Sequence, residues 1–287
     1  MNIRNIISAL LLGLAVWAGV AYFSARFLVR PNHISIYNID KIDSKKAESM
    51  EFMTEDNFRI SAWFVRNSEK RVIVLLSGIR GNRLAQISRA EFYLKKGFSV
   101  LMPDLRGTGK SEGDLISFGW HERKDLLACI LELKRLGFSK ISVDGQSLGA
   151  AAAVYSMSDY ADYEFIILES CYDNITNAFR NRINKFPVPH FVFRPVEFFT
   201  GKMIGASVQE LVPDVLIAKI ASPVLFLAGD SEYQIPTEET VKLFERSESK
   251  FKRLHFFKGA EHEDFHVRYR GEFEKTVSDF LNSMNVQ

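Results

Sequence analysis

The sequence predicts an α/β fold: a mostly parallel β-sheet with helices on both faces, preceded by a single apolar helix long enough to cross a bilayer. Three observations carry this. Short apolar runs bounded by Gly, Asp or Pro recur along the chain, the pattern of strands buried on both faces. Stretches of helical periodicity fill the intervals, and strands alternating with helices give a parallel sheet. Near the amino terminus, residues 5–25 (NIISALLLGLAVWAGVAYFSA) form an uncharged run of 21 residues. At about 1.5 Å per residue, a helix of that length spans the roughly 30 Å hydrocarbon core of a membrane.

In chain order, that run and its flanks make residues 1–30 an N-terminal membrane anchor. Arg4 precedes it, Arg26 and Arg30 follow it, and Trp17 and Tyr22 lie in its second half, where interfacial aromatics belong. A cleaved signal peptide is the competing reading, with Gly19-Val20-Ala21 as a mediocre cleavage site; the run exceeds a usual signal core, which favours an uncleaved anchor. Arg26, Arg30, Lys41, Lys45 and Lys46 outnumber Arg4 and the α-amine, which by the positive-inside rule keeps the domain cytoplasmic. Short amino-terminal anchors often insert the other way, so the orientation stays open. Residues 31–49 read as a polar connector, and residues 50–287 as one α/β domain.

Within that domain, residues 50–54 and 59–65 form a hairpin around Glu55-Asp56-Asn57. Strands follow at RVIVLL (71–76), FSVLMP (98–103), KISV (140–143), EFIILE (164–169), PVLFLA (223–228) and RLHFF (253–257). Leu126, Leu127, Ile130, Leu133 and Leu136 line one helix face that stops at Gly137, and Phe273, Val277, Phe280 and Leu281 do the same in the last helix.

Composition excludes several classes. With 47% hydrophobic and 25% charged residues over 287 positions, the chain is an ordinary globular sequence with ample core material. A formal net charge of +2 without a run of like charges speaks against a nucleic-acid partner. Cys129 and Cys171 allow at most one disulfide, and their surroundings suggest free thiols rather than a metal site. Arg106-Gly107-Thr108-Gly109-Lys110-Ser111 imitates a phosphate loop, but Asp104 stands where that motif needs its first glycine, so no nucleotide is expected.

The residues that carry chemistry centre on Gly145-Gln146-Ser147-Leu148-Gly149, at the carboxyl end of KISV and the start of an alanine-rich helix. Ligand sites of open α/β sheets lie at such ends. A serine on a sharp strand-to-helix turn exposes its hydroxyl, and the flanking glycines are needed because a β-carbon would clash with the neighbouring strand and helix. The N–H of Leu148, free at the helix start, can then bond a developing oxyanion. Serine needs a base, and histidine is the usual one near neutral pH. Of the 6 histidines, His33 and His121 precede Ser147, His190 lies in an aromatic insertion and His255 within the last strand. His262 and His266 follow that strand, His266 toward the final helix, where a surface position is expected.

On these motifs the chain resembles the α/β-hydrolase fold serine hydrolases, closest to their membrane-anchored esterase, thioesterase and serine-aminopeptidase-like branch. The resemblance runs from about residue 50 to the end. LLSGIRGN (75–82) is similar to the branch's HGxxGN loop, DLRGTGKSEG (104–113) to DxRGxGxSxG, GQSLG to the nucleophile turn, SPVLFLAGDSEYQIP (222–236) to the acid-bearing segment, and GAEH (259–262) to the base loop. It implies Ser147 as nucleophile, His262 as base and an oxyanion hole formed by the N–H groups of Leu148 and Ile79. The orienting carboxylate, four residues before the proline, falls on Glu232, where aspartate is usual. Asp230 competes for that role, although a turn aspartate more often bonds the backbone of its own loop. Ser77 stands where the branch has histidine; its hydroxyl is expected to bond the loop backbone instead.

The resemblance further implies a cap over the nucleophile, here the insertion at about 172–214. In it Phe179, Phe186, Phe191, Phe193, Phe198 and Phe199 are interleaved with Arg180, Arg182, Lys185 and Arg194. Most of these rings are expected to pack the cap onto the domain; some would line an acyl-chain pocket while the arginines face anionic headgroups. The expected activity is hydrolysis of an ester or thioester of a small-molecule or lipid acyl substrate through an acyl-serine, with no cofactor and no metal. A peptidase or amidase, an acyltransferase, or a non-catalytic anchored module retaining the fold are the alternatives.

Overall fold

A computed structural model of the chain describes residues 2–184 and 189–284. Helix α1 (Ile3–Leu28) leads into a two-stranded ribbon, β1 (Lys41–Ile42) and β2 (Lys45–Lys46). The main sheet follows with β3 (Glu48–Met53), β4 (Arg59–Val65), β5 (Arg71–Leu76), β6 (Ser99–Pro103), β7 (Lys140–Gln146), β8 (Ile166–Glu169), β9 (Val224–Gly229) and β10 (Lys252–Phe257). Helices α2 (Ile87–Lys95), α3 (Glu122–Arg135) and α4 (Leu148–Tyr155) connect the central strands. The insertion after β8 carries α5 (Ile175–Ile183), α6 (Arg194–Ile204) and α7 (Pro213–Leu216), and α8 (Thr237–Arg246), α9 (Phe265–Arg268) and α10 (Arg270–Ser283) complete the domain.

The sheet order is β10-β9-β8-β7-β5-β6-β4-β3, parallel except where β4 meets β3 and β6. Central strands are apolar on both faces because both are covered. In β5, Val72, Val74 and Leu76 join the core with α3, α4 and α8, while Ile73 and Leu75 join the one with α2 and α10. Chain order reverses at β5, which lies between β6 and β7. The crevice at the carboxyl ends of β5 and β7 is therefore the topological switch point, where sites form in open α/β sheets.

Two local features differ from the sequence expectations, and the packing of α1 goes beyond them. β7 runs past Val143 to Gln146 because the buried Asp144 within it is paired with Arg89 at 3.0 Å. The segment expected as a polar connector folds onto the domain: Ile36 and Ile42 are buried, and Asn32 bridges to Thr108. Helix α1 does not stand free. Ala21, Ala25 and Val29 are buried, Trp17 Nε1 donates to the Val192 carbonyl at 3.0 Å, and Tyr22 meets Phe199 edge-on at 5.6 Å. Much of its amino-terminal half, including Leu10, Leu11, Leu12 and Leu14, stays exposed.

Candidate active site

Ser147 sits between β7 and α4 at φ 51°, ψ −108°. That is a left-handed conformation unfavourable for a side-chain residue by about 1–3 kcal/mol. The surroundings enforce it. A β-carbon on Gly145 would come within 2.6 Å of the Gly149 backbone, and one on Gly149 within 2.6 Å of the Leu76 carbonyl. The Ser147 N–H donates to the Glu169 carbonyl at 2.7 Å. All of α4 is buried, so small alanines let it lie flat on the sheet.

The Ser147 hydroxyl lies 3.1 Å from His262 Nε2, and His262 Nδ1 lies 2.9 Å from Glu232 Oε2. Glu232 is buried, and its other oxygen accepts from Ser170 Oγ at 2.6 Å and the Gly229 N–H at 2.8 Å. The carboxylate thus has a fixed orientation, with one oxygen reserved for the imidazole. The loops of Glu232 and His262 are fastened together: Ser231 N–H donates to the Ala260 carbonyl at 3.0 Å, and a β-carbon on Gly229 would strike that carbonyl at 2.2 Å.

The other candidates lie elsewhere. Asp230 Oδ1 accepts the Gly259 N–H at 2.6 Å, so it braces the base loop rather than the backbone of its own loop. The difference arises because β9 and β10 are parallel neighbours whose carboxyl-terminal loops emerge side by side. His266 is not at the surface. It is 1% exposed, packed edge-on against Phe273, with Nε2 3.3 Å from Glu274, because α9 turns inward directly after the base loop. Burial lowers its pKa. Ser77 Oγ, expected to bond the loop backbone, is buried with no partner among the described residues. A β-carbon on Gly81 would lie 2.8 Å from Ser77 Cβ, so the loop closes on the serine by contact instead.

Leu148 is the first residue of α4, so its N–H is among those a helix leaves unbonded to its own backbone. Ile79 belongs to the loop after β5, which a Gly81 N–H to Gly78 carbonyl bond of 2.9 Å closes into a turn. That turn abuts Ser147: a β-carbon on Gly78 would lie 3.6 Å from Ser147 Cβ. The loop and the start of α4 therefore both adjoin Ser147.

A buried network that sequence reasoning missed supports this arrangement. Arg89, on α2, reaches Asp144 of β7 at 3.0 Å, Glu169 of β8 at 2.8 Å and Asp264, two residues after His262, at 2.8 Å. Tyr93 donates to Asp144 at 2.7 Å. Burial pushes the Glu169 carboxyl up to about 8, against the pull of the guanidinium. One cation thus ties the strand before Ser147, the strand whose carbonyl holds Ser147 N–H, and the loop of His262. A signal for it exists in the sequence: Asp144 and Glu169 are acids at the ends of apolar runs, where an unpaired charge cannot stay.

In the cap, Phe179 packs edge-on against Phe118 at 5.3 Å, whereas Phe199 packs against Tyr22 of α1. Phe191 and Phe198 are exposed. Lys185 and Phe186 lie outside the described residues. Phe193, Ile183 and Val196 face Val16, Val20 and Phe27 across an apolar crevice of about 850 Å³ between the cap and α1.

No protein-family model matches the chain. Among known proteins, it is 30% identical over 221 residues to the YqkD protein of Bacillus subtilis, covering 74% of this chain and 72% of that one. It is 26% identical over 252 residues to a Saccharomyces cerevisiae membrane protein, covering 85% and 83% of the two chains. Among solved structures, a Pyrococcus furiosus esterase superposes with a TM-score of 0.76 at 24% identity, covering 89% of this chain and 98% of the other. With this strand order, this serine turn and this kinship to YqkD, the chain belongs to the α/β-hydrolase family.

Proposed function

We propose that this protein is a membrane-anchored serine hydrolase that cleaves an acyl ester or thioester through an acyl-Ser147 intermediate. The observation that carries the reading is the continuous relay from the Ser147 hydroxyl to His262 at 3.1 Å and from His262 to the buried Glu232 at 2.9 Å. Glu232 accepts Nδ1–H, which leaves Nε2 as the acceptor facing Ser147. His262 takes the hydroxyl proton as Oγ attacks the acyl carbon. The carbonyl oxygen becomes an oxyanion between the N–H groups of Leu148 and Ile79. The protonated imidazole then gives its proton to the departing alkoxide or thiolate. In the second half, His262 deprotonates a water, which attacks the acyl carbon; the acyl–Oγ bond breaks, the acid leaves and His262 returns the proton to Ser147 Oγ.

The membrane half of the proposal rests on α1. Its 26 residues reach about 39 Å, longer than a bilayer's hydrocarbon core. The cap packs on α1 from Trp17 onward and residues 3–16 alone reach about 21 Å, so a spanning α1 would sink α6 into the interfacial region, with the exposed Phe191 and Phe198 available to lipid. The acyl substrate, on this reading, is an amphiphile that reaches the site along the cap.

The test is turnover of p-nitrophenyl esters of two to sixteen carbons, with matching acyl thioesters, by the full-length protein in micelles. An acyl-enzyme that deacylates slowly predicts a burst of p-nitrophenol stoichiometric with enzyme. Preference for longer chains is expected. Absence of ester and thioester turnover, with Ser147→Ala indistinguishable from wild type, would reject the ester and thioester reading in favour of an amidase, an acyltransferase or the non-catalytic module.

A further inference from the structure

We propose that helix α1 is a working part of the catalytic unit and that Arg80 is the positioning residue connecting them. This rests on the reading that the loop after β5 supplies an oxyanion donor through Ile79. Arg80 follows Ile79 directly and holds φ 60°, a left-handed conformation that costs a side-chain residue about 1–2 kcal/mol. A glycine would fit there without that cost, so the side chain needs a compensating role. Its guanidinium supplies one. Nη2 donates to the Phe27 carbonyl at 2.8 Å and the Leu28 carbonyl at 3.0 Å, and the group lies over the Phe27 ring at 5.6 Å.

Those carbonyls belong to the last turn of α1, where a helix leaves four acceptors unsatisfied and carries the negative end of its dipole. Arg80 therefore caps the membrane helix from within the loop that faces Ser147. The return path closes the connection. Asn32, four residues past the end of α1, donates from Nδ2 to the Arg80 carbonyl at 2.7 Å. Asn32 is itself fixed by its N–H to the Gly107 carbonyl at 2.7 Å and by its carbonyl, which accepts from Gly109 at 3.2 Å. Side chain and carbonyl of one residue are thus both held by the chain that leaves the membrane helix. On the other side, Arg83 pairs with the buried Asp104 at 2.7 Å and fixes the far end of the loop. The near end has no comparable polar tie among the described residues: Ser77 Oγ, at the position the family fills with histidine, has no hydrogen-bond partner there. The tie to α1 takes its place.

The consequence is that α1 does more than localise the enzyme, since the placement of the Ile79 N–H depends on its last turn. The experiment compares wild type, Arg80→Ala and Arg80→Lys, all full-length in the same micelles. It measures kcat and KM on p-nitrophenyl butyrate, inhibition by an alkyl boronic acid, and hydrogen exchange of peptides covering residues 77–82 and the central strands. Loss of a single oxyanion donor lowers kcat by about a hundredfold or more; a displaced donor should cost about tenfold to a hundredfold.

Arg80→Ala is expected to lose that much kcat with KM and the pH profile unchanged. Boronate should weaken by the same factor, and exchange should quicken in 77–82 alone. Arg80→Lys, which keeps a donor, should recover part of the loss. A kcat within twofold of wild type together with unchanged loop exchange overturns the proposal. So does faster exchange across the central strands in both variants, which would make Arg80 a plain stability residue. If the wild type turns over no ester while the loop exchange responds to Arg80→Ala, the coupling stands and the hydrolase reading fails.

Discussion

Replacing Glu232 by glutamine removes a charge while nearly preserving shape, and the hydrogen bonds around Glu232 determine how the variant must sit. One carboxylate oxygen accepts from Ser170 Oγ at 2.6 Å and from the Gly229 N–H at 2.8 Å; the other faces His262 Nδ1 at 2.9 Å. The backbone N–H of Gly229 cannot turn away, so the amide oxygen of the variant must take the place of the first oxygen. That points the NH2 group at His262, which must then accept at Nδ1 and carry its proton on Nε2. The imidazole so oriented donates to Ser147 instead of accepting from it, and the nucleophile has no base. The imidazolium formed during attack also loses its counter-charge. For an orienting carboxylate in such a relay the loss in kcat is about 10³- to 10⁴-fold, equal to about 4–5.5 kcal/mol of barrier. The Ser170 and Gly229 bonds survive the change, so melting temperature should shift by only a few degrees. The assay is kcat on p-nitrophenyl butyrate beside a thermal melt in micelles. Less than a tenfold loss of kcat in a folded Glu232→Gln protein would show that the carboxylate does not orient His262.

Ser147→Ala and His262→Ala should each lower kcat by about 10³-fold or more, and the double variant should be little worse than either, since relay members act as a unit; additive losses would reject the pairing. Arg89→Met leaves Asp144, Glu169 and Asp264 without their common cation, so a loss of about 3–5 kcal/mol and on the order of 10 °C in Tm is expected, and an unchanged melt would refute the network's role. Glu169 gives a signed pH test: its folded pKa of about 8 stands above the ordinary 4.5, so between these values the folded chain holds a proton that the unfolded chain has released. Its contribution to stability is fullest below 4.5, falls by up to 1.36 kcal/mol per pH unit through the window and levels off above 8. Glu169→Gln removes that slope, so the Tm of the variant relative to wild type should rise between pH 5 and pH 8; parallel curves would contradict the raised pKa.

The features legible in the sequence are mostly local or periodic. The strand runs are apolar because the sheet is covered on both faces, and the serine turn is legible because only glycine tolerates a 2.6 Å approach at positions 145 and 149. The order of Ser147, Glu232 and His262 along the chain already contains the relay that the structure assembles. The features that escape the sequence depend on distant partners. Asp230 reads as a residue of its own turn, but its acceptor role serves Gly259 in the neighbouring loop, 29 residues away. His266 stands between Phe265 and Val267, and its burial is set by the direction of the turn after the base loop. Arg89 escapes because its three acids are far apart in sequence, although Asp144 and Glu169, at the ends of apolar runs, call for a cation. The docking of α1 is equally hidden: an apolar helix that pairs with lipid and one that pairs with a cap have the same composition. Trp17, Tyr22 and Arg80 distinguish them, through partners the sequence does not name.

The central claim, that Ser147 is a nucleophile activated by His262, is tested most directly by intact mass spectrometry of the full-length protein treated with an alkyl fluorophosphonate. Phosphonylation forms a bond from Ser147 Oγ to phosphorus with loss of fluoride. One adduct per chain is predicted, recovered on the peptide that contains Ser147, absent from Ser147→Ala and slowed by at least about a hundredfold in His262→Ala. No adduct on folded wild-type protein, or an adduct that persists in Ser147→Ala, would contradict it.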